Sequence, residues 1–384
     1  MKKLRGLFLI LFILFQVNAY AQYDSIYFDG MYRTYNLHLP IDYNSSQNLS
    51  LIIALHGGFG SGTQLETQSQ LSVKADEENF IVVYPEGVES LLNIRTWNAG
   101  GCCGYAAANN IDDVGFINAL MDTLMANYAI DSLRVYATGM SNGAFMCYRL
   151  ACELSNRIAA IAPVAGSMNV TECSPENKLP IIHFHSYLDT NVPYLGGIGD
   201  GVSNHYNPPL DSVLNVWATT DNCQNTGDTI LDNEEYTHVV WNNCDCFYSI
   251  AYYITHDGGH SWPGGLQSPI GDPTSEFINA NDLMWDFFQQ FTLSCDQTIG
   301  IKETPPEKQR IKVYPNPTSG TFIIVGEKLN HVSVYTSGGI LIMDLDLQPS
   351  DMLNIDLSGE ALGFYYVRVS FKEDREEIIK VLLK

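Results

Sequence analysis

Five short runs dominate the first half of the chain: LSLIIALHG (residues 49–57), FIVVYPEG (80–87), LRVYATG (133–139), IAAIAPVAG (158–166) and LPIIHFHS (179–186). Each is almost continuously apolar and rich in β-branched residues. Each ends in small or turn-forming residues, with helix-length segments between several of them. Strands of that kind are buried on both faces, which requires a mostly parallel sheet with helices on either side. An α/β fold follows before any motif is considered. The stretch DDVGFINALMDTLMANYA (112–129) supplies one such helix: Val114, Ile117, Leu120, Met121, Leu124 and Met125 share a face, and Asp112 or Asp113 suits the N-cap region.

The two ends of the chain have other purposes. Lys2, Lys3 and Arg5 precede an unbroken apolar run from Leu7 to Phe15, followed by Ala19-Tyr20-Ala21, the order of an export signal cut after Ala21. The run is too short to span a membrane, and no later stretch has the length of a transmembrane helix. Removing residues 1–21 takes away three positive charges and no negative ones, moving the formal net charge from −23 to −26. So acidic a surface repels nucleic acid and anionic bilayers, and neither is expected as a partner. All nine cysteines lie between Cys102 and Cys295. After export they read as disulfides plus one odd thiol, with the connectivity open. Zinc at Cys244, Cys246, His256 and His260 is the competitor, but the spacings fit no usual structural site.

Composition changes at the last cysteine. Residues 296–308 carry a Pro pair and charges, as a linker does. Beyond them, at 309–384, short alternating runs such as GTFIIV, HVSVYT and GFYYVRVSF predict a small all-β domain, a β-sandwich. The residues before the linker, 22–295, suffice for one large catalytic domain.

YATGMSNGAF (136–145) places Ser141 between Gly139 and Gly143, where the strand LRVYATG gives way to helical spacing at Phe145, Tyr148, Leu150 and Leu154. A serine at a sharp strand-to-helix turn needs glycine two residues before and after it, because strand and helix pass too closely for side chains. The helix also aims its first N–H groups at the serine. Such a nucleophile needs a base and an acid, which follow in the order acid, then histidine, from later strand ends in this fold class. Asp189 is the acid and His260 the base. Asp200, Asp211 and Asp257 are the other acids weighed, with Asp211 reading as a helix N-cap. His183 and His185 alternate on a strand as supporting or core residues, and His256 is the alternative base. The oxyanion hole takes the N–H of Asn142 and a second from LHGGFG (55–60), Gly58 first and Phe59 in reserve. His56 reads as structural.

Two resemblances extend this reading. LHGGFG, WNAGGCCG, DDVGFI, ATGMSNGAFMCYRLACE, HSYLDTNVPYLGG and GGHSWPGG occur in the order found in secreted esterases of the polyhydroxybutyrate depolymerase and feruloyl esterase type, members of the α/β-hydrolase superfamily, over Tyr27 to Phe291. The resemblance implies Ser141, Asp189 and His260 as the triad, and it draws attention to Trp97 and Trp262, which serve either as core or as a substrate wall. It implies that one of Cys102 and Cys103 is tied to another loop, and Cys223 to the segment around Cys244 or Cys246. His185-Ser186 departs from the usual His-Gly. VYPNPTSGTF (313–322), with a strand-rich end and a basic last residue, resembles the C-terminal sorting domain of the type IX secretion route. A secreted or surface-attached serine esterase is therefore expected, needing neither metal nor organic cofactor. Its expected partners are the type IX machinery and an ester-bearing polysaccharide or oligosaccharide, with feruloyl or acetyl xylan ahead of polyhydroxybutyrate. An inactive carbohydrate-binding module is the alternative from outside enzymology.

Overall fold

The computed structural model describes residues 22–201, 204–268, 271–293, 311–336, 341–371 and 376–384. The expected export signal (1–21) and linker (296–308) lie outside the described residues. The chain divides into two compact units, Met1–Gln297 and Thr298–Lys384.

The first unit holds strands β1 (Gln22–Phe28), β2 (Met31–His38), β3 (Leu49–Leu55), β4 (Ile81–Pro85), β5 (Val88–Glu89), β6 (Arg95–Thr96), β7 (Ile130–Met140), β8 (Ala160–Val164), β9 (Ile181–Ser186), β10 (Gly197–Ile198), β11 (Tyr206–Asn207), β12 (Asp228–Asp232), β13 (Tyr236–Trp241) and β14 (Ile250–Thr255). Its helices are α1 (Gly62–Ser69), α2 (Leu71–Glu78), α3 (Gly104–Ala108), α4 (Asp113–Asn127), α5 (Asn142–Glu153), α6 (Leu210–Thr220) and α7 (Ala280–Phe288). Ten strands form one sheet in the order β1-β2-β4-β3-β7-β8-β9-β14-β13-β12, parallel from β4 through β14 and antiparallel at both edges. This is an α/β-hydrolase core sheet.

Strand β3 shows why the sheet must be covered twice. Leu51, Ile53 and Leu55 join the core under α4, α5 and α6, while Ile52 and Ala54 join the core under α1, α2 and α7. Helix α4 buries Val114, Ile117, Leu120, Met121 and Leu124 on its predicted face, with Met125 packed at its margin. Asp112 caps it by accepting the Gly115 N–H at 2.8 Å. Asp113 turns inward to the Arg33 guanidinium at 2.6 Å and the Asn98 N–H at 2.7 Å, clamping β2 to the loop after β6. Asp211 is not the cap of α6, as its spacing suggested. Pro209 holds that position and Asp211 sits in the first turn, where the helix dipole favours a negative charge.

Asp221, at the other end of α6, is fully buried. One carboxylate oxygen accepts the Leu179 N–H at 3.2 Å and the other has no partner. Burial pushes its pKa up to about 7, against the Leu179 N–H and Lys178. Because the folded value lies above the ordinary one, the unfolded chain releases a proton between about pH 4 and 7 that the folded chain retains. Stability from this site is therefore present at acid pH and lost as pH rises through that window, by roughly 4 kcal/mol at most. Asp221→Asn should raise the melting temperature at pH 8 by several degrees more than at pH 5. An equal change at both pH values would refute the account.

The second unit is mostly β. Strands β15 (Lys312–Tyr314), β16 (Thr321–Thr336), β17 (Leu341–Asp356), β18 (Gly363–Phe371) and β19 (Glu376–Leu383) form one antiparallel sheet. Val332 and Val334 on β16, Tyr365, Val367 and Val369 on β18, and Val381 and Leu383 on β19 face one shared core. The register of β16 breaks between Val325 and Leu329, and a bridge from Thr318 to Leu383 links the start of the domain to its last strand. The result is one nearly closed barrel instead of the two-layer sandwich expected, because the long strand β16 runs through both halves. Asn316 of the YPNP signature holds that closure, donating to the Lys380 carbonyl at 2.8 Å and accepting the Leu382 N–H at 2.9 Å.

Candidate active site

Strand β7 ends at Met140 and α5 begins at Asn142, so Ser141 alone makes the turn, with φ +55° and ψ −121°. Those angles are rare for a residue with a Cβ and persist only where the surroundings enforce them. The enforcement is visible. Ser141 donates its N–H to the Val164 carbonyl at 2.9 Å, and its own carbonyl accepts the Ala144 and Phe145 N–H groups at 2.8 and 3.1 Å. A Cβ on Gly139 would lie 2.7 Å from the Leu55 carbonyl oxygen, and one on Gly143 would be driven into the same carbonyl. Close passage of β3, β7 and α5 therefore demands both glycines.

Asp189 follows β9 and is buried. Oδ1 accepts the N–H groups of Asn191 and Val192, each at 2.9 Å. Oδ2 accepts from His260 Nδ1 at 2.8 Å and lies 3.3 Å from His185 Nε2. Burial alone would raise its pKa, but hydrogen bonds from His185 and His260 outweigh burial and hold the carboxyl well below the usual range. His260, in the loop after β14, is fixed through its N–H to Asp272 at 2.7 Å. Its ring lines the same cavity as Ser141. Of the other acids weighed, Asp257 binds Ser275 and the Glu276 N–H, while Asp200 lines the same cavity as Ser141 and His260. His256 contacts Thr237 at 3.2 Å.

Asn142, as the first residue of α5, has an N–H without an intrahelical acceptor. Its side chain is spoken for twice: Oδ1 accepts the Trp97 N–H at 2.7 Å, and Nδ2 donates to the Trp97 carbonyl at 3.1 Å. In the loop after β3, Phe59 gives its N–H to the Arg95 carbonyl at 3.1 Å, which commits the reserve donor. Gly58 carries no such bond and lines the cavity beside Ser141 and Asn142. His56 steadies this loop, with Nδ1 on the Gly57 carbonyl at 2.7 Å and Nε2 accepting the Gly87 N–H at 3.0 Å. Burial brings its pKa down to about 4, so the ring is neutral at pH 7, as that pattern of one donor and one acceptor requires.

Two lobes meet at Ser141 and His260. The larger, of about 610 Å³, is walled by Phe59, Ile94, Tyr105, Phe145 and Val192. The smaller, of about 320 Å³, is lined by polar groups including Ser61, Gln64, Gln68, Ser268 and Asp272. Trp97 and Trp262 line neither. Both indoles are fully buried, Trp97 donating to the His56 carbonyl at 2.9 Å and Trp262 to Asn281 at 3.0 Å, so they brace the site and do not form a substrate wall. The aromatic wall comes instead from Phe59, Tyr105 and Phe145. The sequence signal for Phe59 is a large ring set among the glycines of LHGGFG; the structure places it at φ +66° and leaves it 60% exposed.

Cys152 pairs with Cys173 and Cys223 with Cys244. Cys102 and Cys103 pair with each other, which corrects the expected tie to another loop; adjacent in the chain, they join the cavity wall, which Cys103 lines, to no other segment. Cys246 is also disulfide-bonded, and Cys147 is a buried free thiol. With Cys244 and Cys246 oxidised and His260 on Asp189, the zinc reading loses its ligands. Among the described residues, only Cys102, Cys103 and His205 bring three potential ligand atoms within 4.8 Å of one another, and both sulfurs there are spent on each other.

Residues 33–176 match the family described as esterase PHB depolymerase, and residues 312–384 match the secretion system C-terminal sorting domain. The first match includes Gly58, Ser141 and Asn142 and ends before Asp189. Feruloyl esterase B of Piromyces equi is 26% identical over 261 residues, 66% of this chain and 44% of that protein. A bifunctional acetylxylan esterase/xylanase of Neocallimastix patriciarum is 26% identical over 263 residues, 67% of this chain and 33% of that protein. The chain thus spans less than half the length of either relative. Among solved structures, an acetyl xylan esterase from Aspergillus awamori aligns with 15% identity and a TM-score of 0.47, over 67% of this chain and 94% of that one.

Proposed function

Because the chain joins an α/β-hydrolase-type esterase domain of the PHB depolymerase-like family to a C-terminal type IX secretion sorting domain, we propose that it is a secreted serine carboxylic-ester hydrolase acting on feruloyl or acetyl esters of plant cell-wall polysaccharide. In this reading residues 1–21 are removed on export, 22–295 form the catalytic domain, 296–308 the linker and 309–384 the address. The sorting domain is consistent with secretion or surface attachment, and no helix among the described residues is long and apolar enough to cross a membrane.

Ser141 Oγ attacks the ester carbonyl while His260 Nε2 takes its proton. Asp189 holds the other ring nitrogen and stabilises the imidazolium. The oxyanion is met by the N–H groups of Gly58 and Asn142. His260 then protonates the departing alcohol, and an acyl group remains on Ser141. Water, deprotonated by the same histidine, attacks that acyl group and frees the acid and the serine. No step calls for a metal or an organic cofactor.

The observation that carries the substrate class is the pair of lobes on either side of Ser141 and His260. An apolar lobe with three aromatic rings suits an aryl or short acyl group, and a lobe of amides and hydroxyls suits the hydroxyl-rich alcohol, a sugar. The aromatic lobe would also take a hydroxybutyrate chain, so a polyester depolymerase is the second reading. The test compares kcat/KM on methyl ferulate, acetylated xylan, a 3-hydroxybutyrate oligomer and p-nitrophenyl acetate. Methyl ferulate or acetylated xylan should lead. Tyr105→Ala should lower the rate on methyl ferulate by about 2- to 10-fold, the worth of one aromatic contact, with little change on p-nitrophenyl acetate. A hydroxybutyrate oligomer at least tenfold better than both cell-wall substrates would overturn the assignment in favour of the second reading.

A further inference from the structure

Behind Asp189 runs a chain of buried polar groups that the acyl-transfer steps leave unused. Tyr148 Oη lies 2.8 Å from His183 Nδ1, and His183 Nε2 lies 3.0 Å from His185 Nδ1. His185 Nε2 lies 2.7 Å from the Val192 carbonyl and 3.3 Å from Asp189 Oδ2, the oxygen that also receives His260. All three side chains are buried.

The proton positions follow from the far end. A carbonyl only accepts, so His185 Nε2 carries a hydrogen. His183 carries one hydrogen, and with that hydrogen on Nε2 the ring donates to His185 Nδ1 and leaves its own Nδ1 bare to accept the Tyr148 hydroxyl. Burial drives His183 toward its neutral form and keeps the Tyr148 phenol protonated. In that arrangement the donors run from Tyr148 through both histidines to the Val192 carbonyl, with Asp189 Oδ2 3.3 Å from the last of them as a second, weaker acceptor. The chain also joins three parts of the site: Tyr148 stands on α5, the helix that begins at Asn142; the histidines stand on β9; and Asp189 stands on the loop that leaves β9.

We propose that His185, backed by His183 and Tyr148, is a positioning residue for the acid–base pair, sharing Asp189 Oδ2 with His260 and keeping that carboxylate in register with the helix that follows the nucleophile. The inference rests on the esterase reading above. Two donors on one oxygen divide its electron density. Removing His185 leaves more of it to His260, so the imidazolium gains stability and the base titrates at higher pH, while the carboxylate loses a restraint and turnover falls.

The test uses His185→Leu, His185→Gln and Tyr148→Phe in the full chain on p-nitrophenyl acetate. His185→Leu should lower kcat about 10- to 100-fold with KM nearly unchanged, and should move the acidic limb of kcat/KM up by about half a pH unit. His185→Gln should restore most of both, since its amide can donate toward Val192 and Asp189 and accept from His183. Tyr148→Phe should shift the limb in the same direction by less. Besides Asp189, the titratable groups lining the cavities around His260 are His56, Tyr105, Asp200, His205 and Asp272, and no variant alters them. A folded His185→Leu protein with an unmoved limb and kcat within twofold of the parent would overturn the proposal, as would equal losses in the Leu and Gln variants. If His185→Leu does not fold, an unmoved limb and unchanged kcat in Tyr148→Phe would overturn it. A parent inactive on every ester would instead refute the esterase reading, and NMR titration of the His260 ring in parent and His185→Gln would still measure the coupling.

Discussion

Ser141→Ala is expected to lower kcat on p-nitrophenyl acetate by about 10⁴- to 10⁶-fold while the protein stays folded. The size of the loss follows from the division of labour in the site. On the proposed mechanism no acyl-enzyme forms without Oγ, and what remains is water attacking an ester whose carbonyl would still meet the N–H groups of Gly58 and Asn142. The fold should tolerate the change, because what holds the turn is backbone: the Ser141 N–H on Val164, and its carbonyl on Ala144 and Phe145. Alanine keeps the Cβ, so the strain of φ +55° is neither relieved nor increased. The measurement is kcat in parallel with a melting curve and labelling by a fluorophosphonate probe, which should disappear in the variant. A folded variant within tenfold of the parent would place the nucleophile elsewhere. A parent that neither turns over esters nor takes the probe would favour a binding protein that has kept an esterase scaffold.

How much of this was legible in the sequence depends on how local each determinant is. The central strands were legible because burial on both faces leaves an unbroken apolar run, and β3 shows that each residue of such a run has a core to enter. The edge hairpin of β12 and β13 was not, since every residue of β12 is exposed and its composition obeys pairing with β13 alone. The turn at Ser141 was legible because steric demand falls on neighbours two residues away. The roles of Trp97 and Asp113 were hidden for the opposite reason. Trp97 binds Asn142 across 45 positions and Asp113 binds Arg33 across 80, and nothing in the local pattern of a glycine-rich loop distinguishes a tryptophan that braces from one that receives substrate. The Cys102–Cys103 pair was missed because connectivity is not written in spacing.

Asp189→Asn is the second large effect expected, a fall in kcat of about 10⁴-fold with the nucleophile intact. The hydrogen bonds decide the orientation of the new amide. Asn191 and Val192 both present N–H groups to Oδ1, so the asparagine oxygen must stay there and its NH₂ must take the place of Oδ2. An NH₂ group can only donate, and it would then face two rings that now donate to that place, His260 Nδ1 and His185 Nε2. His260 escapes the conflict by shifting its proton to Nε2, which turns the base toward Ser141 with its hydrogen on and no lone pair to take the serine proton. His185 has no such freedom, because the Val192 carbonyl still requires a hydrogen on Nε2. The variant should therefore fold, label slowly with a fluorophosphonate and hydrolyse p-nitrophenyl acetate at a rate set by that wrong tautomer. Combining it with Ser141→Ala should lower the rate little beyond Ser141→Ala alone, since the two residues act through one proton transfer. Activity of Asp189→Asn within tenfold of the parent would remove Asp189 from the role of acid, and Asp200, which lines the same cavity, would be the next residue to replace.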